Sequence, residues 1–143
     1  MWRFALIIVA SGLLTCVGAS KGDLGMFDGT WKVARYRRYA GESDRPNGHI
    51  VVVFRGNELT VRTRDSEVKG TFGIDSTTIP KTFNLRGKLW KIPVTILGCY
   101  RLLDGDAMQL RWSEQGKRPS GFSSSHLEKG EAEVLLIREK PAA

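Results

Sequence analysis

The sequence predicts a single all-β domain, an antiparallel up-and-down meander of about eight strands. Apolar and polar residues alternate with a period of two along much of the chain, the pattern of strands that bury one face. Residues with turn chemistry recur at intervals of roughly ten residues, as in sandwiches and barrels. No segment has the apolar spacing of a convincing amphipathic helix. Together these three observations favour an all-β fold.

Residues 1–19 read as a secretion signal rather than as part of the domain. Arg3 gives the segment a cationic start, and the rest of it carries no charge. The uncharged part is shorter than the ~20 residues that a transmembrane helix needs. Val17 and Ala19 are small residues at the positions that signal peptidase reads. We therefore expect cleavage before Ser20 and export to the periplasm or the extracellular space.

An alternative interpretation concerns Cys16. The run Leu13–Cys16 resembles a bacterial lipoprotein box, which would make the protein a lipoprotein anchored through Cys16, although Thr15 is a poor fit. An uncleaved anchor is a third possibility. Simple cleavage would leave Cys99 as the sole cysteine, which cannot form an internal disulfide. We expect Cys99 to be a small buried hydrophobe.

Residues 20–143 then form one domain. Lys21–Gly29 is rich in Gly and Asp and is expected to be a linker or an entry turn. The first strand is predicted from Thr30 to Tyr39, and a turn is predicted at Asn47 and Gly48. The next strand alternates its inward residues, which are Ile50, Val52 and Phe54.

Gly56 and Asn57 form a two-residue hairpin signal, because both residues tolerate positive φ. The following segment has the cleanest alternation in the chain, and Asp65 and Ser66 divide it into a second hairpin. Period two places one set of residues inward: Leu59, Val61, Thr63, Val68, Gly70, Phe72 and Ile74. Arg62 and Arg64 then face outward.

The second half of the chain predicts four more extended segments. They are a strand over Thr82–Arg86, a long strand from Trp90 to Leu102 that Gly98 bends, a strand over Met108–Trp112, and a last strand over Glu133–Arg138. Asp104-Gly105-Asp106 is the tightest predicted turn. Residues 117–125 read as a polar loop or irregular edge. The run Val134–Ile137 is apolar throughout, which predicts burial on both faces.

Sequential strands joined by tight turns pair with their neighbours. A meander of this kind leaves two exposed edges unless the sheet closes, and closure abolishes them. We therefore favour a barrel over the alternative, a β-sandwich. A barrel of about eight strands can be filled by side chains or can hold one small ligand.

The order of motifs resembles an uncharacterised family of small exported domains, found mainly in planctomycete bacteria and described as lipocalin-like. The matching stretches, which frame residues 20–143, are Gly29–Val33, Gly98–Tyr100, Asp104–Asp106, Arg118-Pro119 with Phe122–Ser124, and Leu135–Lys140. Two positions depart from the family pattern: Cys99 replaces isoleucine and Met108 replaces leucine. The resemblance implies a lipocalin-like barrel and provides no catalytic residues.

Residues with catalytic or metal-binding chemistry are sparse. His49 and His126 are far apart and have no metal-ligand spacing. The serines before His126 lack the Gly-x-Ser-x-Gly elbow of a nucleophile. Asp104 and Asp106 suit turn formation. Arg118 is interpreted as a cap that bonds backbone carbonyls at a barrel end, with contact to a ligand as the alternative. No catalytic residue, metal site or cofactor is predicted.

The net charge of +7 permits anionic partners, but the basic stretch Lys32–Arg45 is interrupted by acidic residues and is interpreted as a solvated face. The aromatic residues share a parity with the aliphatic ones, so no nucleic acid is expected.

We expect a monomeric, noncatalytic binding or interaction module with no cofactor, in which a small apolar ligand lies in the barrel. The candidate ligand-binding residues are Trp31, Phe72, Tyr100 and Trp112. An envelope-associated protein that binds anionic polymers, or an enzyme with a site invisible in sequence, are the alternatives.

Overall fold

The structure, a computed structural model, describes residues 23–39, 47–89, 92–113 and 116–140. Eight antiparallel strands each pair with the next, and the last pairs with the first, so the sheet closes into a barrel. The strands are β1 Gly29–Arg38, β2 Asn47–Arg55, β3 Glu58–Arg62, β4 Glu67–Asp75, β5 Lys81–Leu89, β6 Ile92–Asp104, β7 Ala107–Ser113 and β8 Glu131–Arg138. The predicted closed meander is confirmed over the sandwich. The predicted signal segment, with Cys16, and Trp90 lie outside the described residues.

A short helix, α1, spans residues 23–27 and precedes β1. The prediction of a linker or entry turn without a helix is wrong here. Five residues are too few to show a helical apolar pattern, and so short a helix depends on tertiary packing for its stability. Phe27 provides that packing, because its side chain is fully buried in the core. In the described residues, no helix is long and apolar enough to cross a membrane.

The predicted inward faces of β2, β3 and β4 are confirmed. Val52, Phe54, Leu59 and Phe72 are all buried in the barrel core. Thr63 is an exception, because it follows the end of β3 and is exposed. At this position the alternation continues in the sequence after the strand pairing has ended.

The predicted turn at Asn47 and Gly48 is wrong, because these residues begin β2. Asn47 pairs with Val33 of β1, after a break in register that follows Lys32. Turn-forming residues tolerate extended backbone as well, so pairing with a neighbouring strand overrides their local preference. The chain therefore enters β2 earlier than its turn chemistry indicates.

An irregularity in β1 changes which side chains enter the barrel. Trp31 and Val33 are buried, but the pairing with β8 then skips Ala34, so that Arg35 pairs with the next residue of β8. One extra residue in a strand reverses the alternation that follows it. Tyr36 consequently lies on the inner face, where it contacts the core.

The prediction that Val134–Ile137 is buried on both faces is wrong at its end. Val134 and Leu136 face inward and are buried, whereas Ile137 is 38% exposed. Nothing described covers the outer face of β8 at this point. Earlier in the same strand the outward residues Glu131 and Glu133 are buried, because a different part of the chain lies over them.

That covering part is residues 116–130, which we call the outer segment. It has no helix or strand, as the predicted polar loop requires, and it contributes the buried Leu127 to the outside of the barrel wall.

Cys99 is a free, fully buried thiol, which confirms its predicted role as a small hydrophobe. Burial raises the pKa of Cys99 to about 11, so the thiol stays protonated at neutral pH.

Two of the predicted tight turns are confirmed with their chemistry. Gly56 begins the turn between β2 and β3 with φ of 61°, a conformation that favours glycine. Asp104 accepts a hydrogen bond of 2.7 Å from the backbone N of Asp106, which is the local bonding expected of a turn-forming aspartate. These turns fix the register of the hairpins on either side of the barrel.

Candidate functional site: an apolar cavity in the barrel

Helix α1 closes one end of the barrel, which we call the closed end. The ring of Phe27 points into the barrel, with its centroid 5.3 Å from Phe54, 5.3 Å from Phe72 and 5.1 Å from Tyr100. The contacts with Phe54 and Tyr100 are edge-to-face, and such pairs add about 0.5–1.5 kcal/mol each to the gain from burial. The aromatic cluster therefore fills this half of the barrel with side chains.

Trp31, near the start of β1, holds α1 in place. Its Nε1 donates a 2.7 Å hydrogen bond to the carbonyl of Phe27. The guanidinium of Arg138 lies 4.2 Å above the Trp31 ring and donates to the carbonyls of Met26 and Asp28 at 2.6 and 2.5 Å. The indole and the guanidinium therefore satisfy carbonyls at the helix end, where no partner exists within the helix.

Asp23 fastens the other end of α1 to the barrel. Its carboxylate accepts hydrogen bonds from the Tyr100 hydroxyl at 2.8 Å and from the Lys81 ammonium at 3.0 Å. Burial would raise the pKa of Asp23, but the hydrogen bonds from Tyr100 and Lys81 outweigh it and leave the pKa below its usual value. Burial, followed by the bond to Asp23, raises the pKa of Tyr100. We call this contact between Asp23, Tyr100 and Lys81 the Asp23 latch. At neutral pH its Asp23 carboxylate is ionised and its Tyr100 hydroxyl is protonated.

The other half of the barrel contains a cavity of about 280 Å³. All of its lining side chains are aliphatic or aromatic. The floor consists of Phe54, Phe72 and Phe83, and the rings of Phe72 and Phe83 stack at 5.3 Å. The buried walls are Val33, Val52, Leu59, Leu110, Val134 and Leu136.

The cavity opens at the end of the barrel opposite α1, which we call the mouth. The lining residues there are only partly buried: Tyr36, Ile50, Val61, Leu85, Ile96 and Trp112. Tyr36 and Trp112 face each other across β1 and β7, with ring centroids 6.4 Å apart. An apolar guest would therefore meet two aromatic rings on its way to the phenylalanine floor.

The four candidate ligand-binding residues divide between the two halves of the barrel. Phe72 and Trp112 line the cavity. Trp31 and Tyr100 are buried at the closed end, where they bond to α1 through Phe27 and Asp23. Period two correctly predicts that all four face inward, but it carries no information on depth along the barrel.

Other lining residues were not among the candidates. Leu85 and Ile96 occupy alternating positions that the sequence predicts to face inward, so the apolar alternation of their strands could have identified them as lining residues. Tyr36 had no such signal, because the extra residue in β1 reverses the parity before it. The aromatic residue at the mouth is therefore visible only in the structure.

The histidines and serines do not converge. His49 is exposed at the start of β2, with Nε2 3.3 Å from the guanidinium of Arg64. His126 is exposed in the outer segment, where its backbone N donates to the Ser124 hydroxyl. In the part of the chain that the structure describes, no group of three or more His, Cys, Asp or Glu residues could hold a metal ion.

Arg118 bonds backbone carbonyls, as the favoured interpretation predicts, but it does so on the barrel wall and not at an end. It donates to the carbonyls of Phe83 at 2.8 Å and Gly98 at 2.6 Å, and to the Asn84 side chain at 2.7 Å. A Cβ on Gly98 would lie 2.4 Å from the Phe83 ring. Position 98 therefore requires glycine to leave room for the Phe83 ring. Arg118 joins the outer segment to β5 and β6 at this place.

Two outward cations, Arg111 and Arg37, are exceptions to the predicted solvated face, whereas Lys32, Arg35 and Arg38 of the basic stretch are exposed as predicted. Arg111 is 4% exposed and Glu133 is 5% exposed, and they form an ion pair through Nε at 2.8 Å and through a second, shorter contact. Arg111 also donates to the carbonyls of Gly121 and Ser124, both at 3.0 Å. Arg37, from the stretch interpreted as solvated, is largely covered and also contacts Glu133. The outer segment causes this burial, because it folds over both arginines.

Comparison with known proteins supports the fold. No protein-family model and no curated protein matches the chain. Among solved structures, a lipocalin-like protein from Bacteroides uniformis superposes with a TM-score of 0.51 at 9% identity, over 80% of this chain and 99% of that one. At so low an identity the likeness shows the fold alone, a lipocalin-like closed barrel.

Proposed function

We propose that this protein is a noncatalytic binding module that holds one small apolar ligand in the barrel cavity. The observation that carries the proposal is the lining, in which every side chain around the cavity of about 280 Å³ is aliphatic or aromatic. A protein cavity of roughly 150 Å³ already accepts benzene, so this one has room for about a dozen non-hydrogen atoms. Small-molecule sites are typically concave, apolar and largely preformed.

The chemistry of the lining selects the ligand class. No lining residue is charged, so a charged group inside the cavity would lose its hydration without gaining a partner. Burial of apolar surface is then the main source of affinity. The ligand, or the part of it that enters, is therefore neutral and apolar, and its binding depends little on salt.

We also propose that the protein is exported and monomeric, and that it belongs to the planctomycete-type family of exported domains. Two of the motifs that carry this resemblance make structural contacts in the barrel. Gly98–Tyr100 passes beneath the Phe83 ring and reaches the Asp23 latch, and Arg118 joins β5 to β6. Intact mass of the exported protein tests the cleavage site: a chain that begins at Ser20 supports it, and a diacylglycerol adduct on Cys16 contradicts it.

Titration with 1-aminonaphthalene, a neutral apolar fluorophore small enough for this cavity, tests the binding proposal. We expect saturable one-to-one binding with little change between about 50 and 200 mM salt. The bound probe should alter the emission of Trp112, and Trp112→Phe should reduce that change, because Trp112 lines the cavity whereas Trp31 lies away from it.

Two matched variants locate the site. Leu85→Trp adds an indole to the cavity lining, whereas Thr95→Trp adds one to the exposed outer face of the neighbouring strand. We expect Leu85→Trp to weaken probe binding at least tenfold and Thr95→Trp to leave it within twofold. Equal affinities in the two variants would show that the probe binds outside the barrel.

A further inference from the structure

The rim of the mouth exposes apolar side chains that continue the cavity lining to the surface. Ile96 lines the cavity, and Val94 and Ile92 follow it on the same face of β6, where Val94 is half-buried and Ile92 is 64% exposed. Among the described residues, the pairing of β6 with β7 reaches no further than Leu97 and Ser113. The first residues of β6 pair with β5, and their inner face forms an apolar track from the cavity to the rim.

Cations flank this track. Lys88 pairs with Pro93, beside Ile92, and it forms no ion pair within the described residues. Arg64 is exposed in the turn that follows β3 at the same end of the barrel. Of the carboxylates at this end, Glu67 is engaged by Arg62 at 3.0 Å and by Lys69 at 3.6 Å, and the exposed Asp65 offsets part of the charge of its neighbour Arg64. The described rim therefore combines exposed apolar groups with a small excess of positive charge.

The closed end also exposes apolar residues, but several carboxylates without an ion-pair partner lie there. Ile79 is fully exposed in the connection between β4 and β5. Asp28, Asp75 and Asp104 lie at this end and form no ion pair within the described residues, whereas Asp106 is paired with Arg138 and Lys140, Asp23 is paired with Lys81, and Arg55 ends β2. An anionic lipid surface would repel the carboxylates that have no partner. Exposure alone therefore does not distinguish the two ends, whereas exposure together with charge does.

We infer that the mouth docks on an anionic lipid bilayer, with Ile92 entering the interface and the rim cations meeting lipid phosphates. Apolar insertion and attraction to anionic lipid together determine interfacial binding. A docked mouth would let an apolar ligand move along the β6 track between the bilayer and the cavity without crossing water. This exchange rests on the proposed function, whereas docking itself can be measured without a ligand.

Vesicle sedimentation tests docking, with the exported protein and vesicles of either phosphatidylcholine alone or phosphatidylcholine with 30% phosphatidylglycerol. We expect binding to the anionic vesicles that weakens as salt rises. Ile92→Asp should weaken it about tenfold or more, because an inserted isoleucine is replaced by a charge that the surface repels. Ile79→Asp makes the same change at the closed end and should bind like the unmodified protein. Since the two variants share one N-terminus, any anchor there cancels in the comparison.

Two outcomes overturn the docking inference. One is equal binding by the two aspartate variants. The other is anionic binding that Ile92→Asp leaves intact but that heparin displaces, which would indicate a surface for soluble polyanions. Failure of the ligand proposal is separate: Leu85→Trp should lose the apolar probe and keep vesicle binding, while Ile92→Asp should lose the vesicles and keep the equilibrium affinity for the probe.

Discussion

Replacing Glu133 by glutamine removes the carboxylate charge that neutralises Arg111 beneath the outer segment. Both side chains are at least nine-tenths buried, so the arginine cannot regain its lost partner from water. Removing one partner of a buried ion pair typically costs about 3–5 kcal/mol. With a urea m-value of roughly 2 kcal/mol/M, this loss lowers the unfolding midpoint by about 1.5–2.5 M. The total stability of such a domain is about 5–15 kcal/mol, so the change is a large fraction of it.

Urea unfolding followed by tryptophan fluorescence measures this effect, and Glu67→Gln is its matched control. Glu67 pairs with Arg62, but the two side chains are 43% and 59% exposed, and such surface pairs contribute about 0–1 kcal/mol. The double variant Arg111→Met with Glu133→Leu should be less destabilised than Glu133→Gln, because it removes the buried charge of Arg111 together with its partner, and Arg37 keeps its hydrogen bond to the Ser125 carbonyl. A midpoint shift for Glu133→Gln no larger than that for Glu67→Gln would refute the account of the buried pair.

Three further predictions test the barrel itself. Phe72→Asp should unfold the domain, because it buries an unpaired carboxylate at a cost of several kcal/mol, whereas Arg62→Asp should be mild; equal urea midpoints would contradict the register of the strands. Gly98→Ala should destabilise by about 1–3 kcal/mol, since its Cβ would lie 2.4 Å from the Phe83 ring and 2.5 Å from the backbone oxygen of Arg111; a midpoint equal to that of the unmodified protein would contradict this close packing. The folded pKa of Asp23 lies below its unfolded value, so its ionised form stabilises the protein above the unfolded pKa of about 4 and this gain disappears as the pH falls through the folded pKa. The midpoint difference between the unmodified protein and Asp23→Asn should accordingly be larger at pH 7 than near pH 3, and a difference that grows on acidification would contradict the latch.

The parts of the fold that could be predicted from sequence are those with local causes. Alternation along β2 to β4 and the turn chemistry at Gly56 are properties of neighbouring residues, so they survive without tertiary information. Barrel closure followed from the need to remove exposed sheet edges. These features were sufficient to identify the inner face of most strands.

The parts that could not be predicted depend on contacts between distant residues. Helix α1 exists because Phe27 packs on rings from β2, β4 and β6, and Arg111 is buried because the outer segment folds over it. The same limit applies to the candidate site. Trp31 and Trp112 both face inward, but they lie at opposite ends of the barrel. Helix α1 occupies the end that contains Trp31, whereas the cavity occupies the end that contains Trp112.

Calorimetric titration with straight-chain alcohols of increasing length measures the cavity most directly. If the ligand is buried in the apolar cavity, each added methylene should contribute about 0.8 kcal/mol, or roughly a fourfold gain in affinity. The gain should stop near a dozen carbons, where the volume of about 280 Å³ is filled, and Leu85→Trp should make it stop at a shorter chain. No binding, or an affinity that does not change with chain length, would contradict the claim that the barrel is a binding site for an apolar ligand.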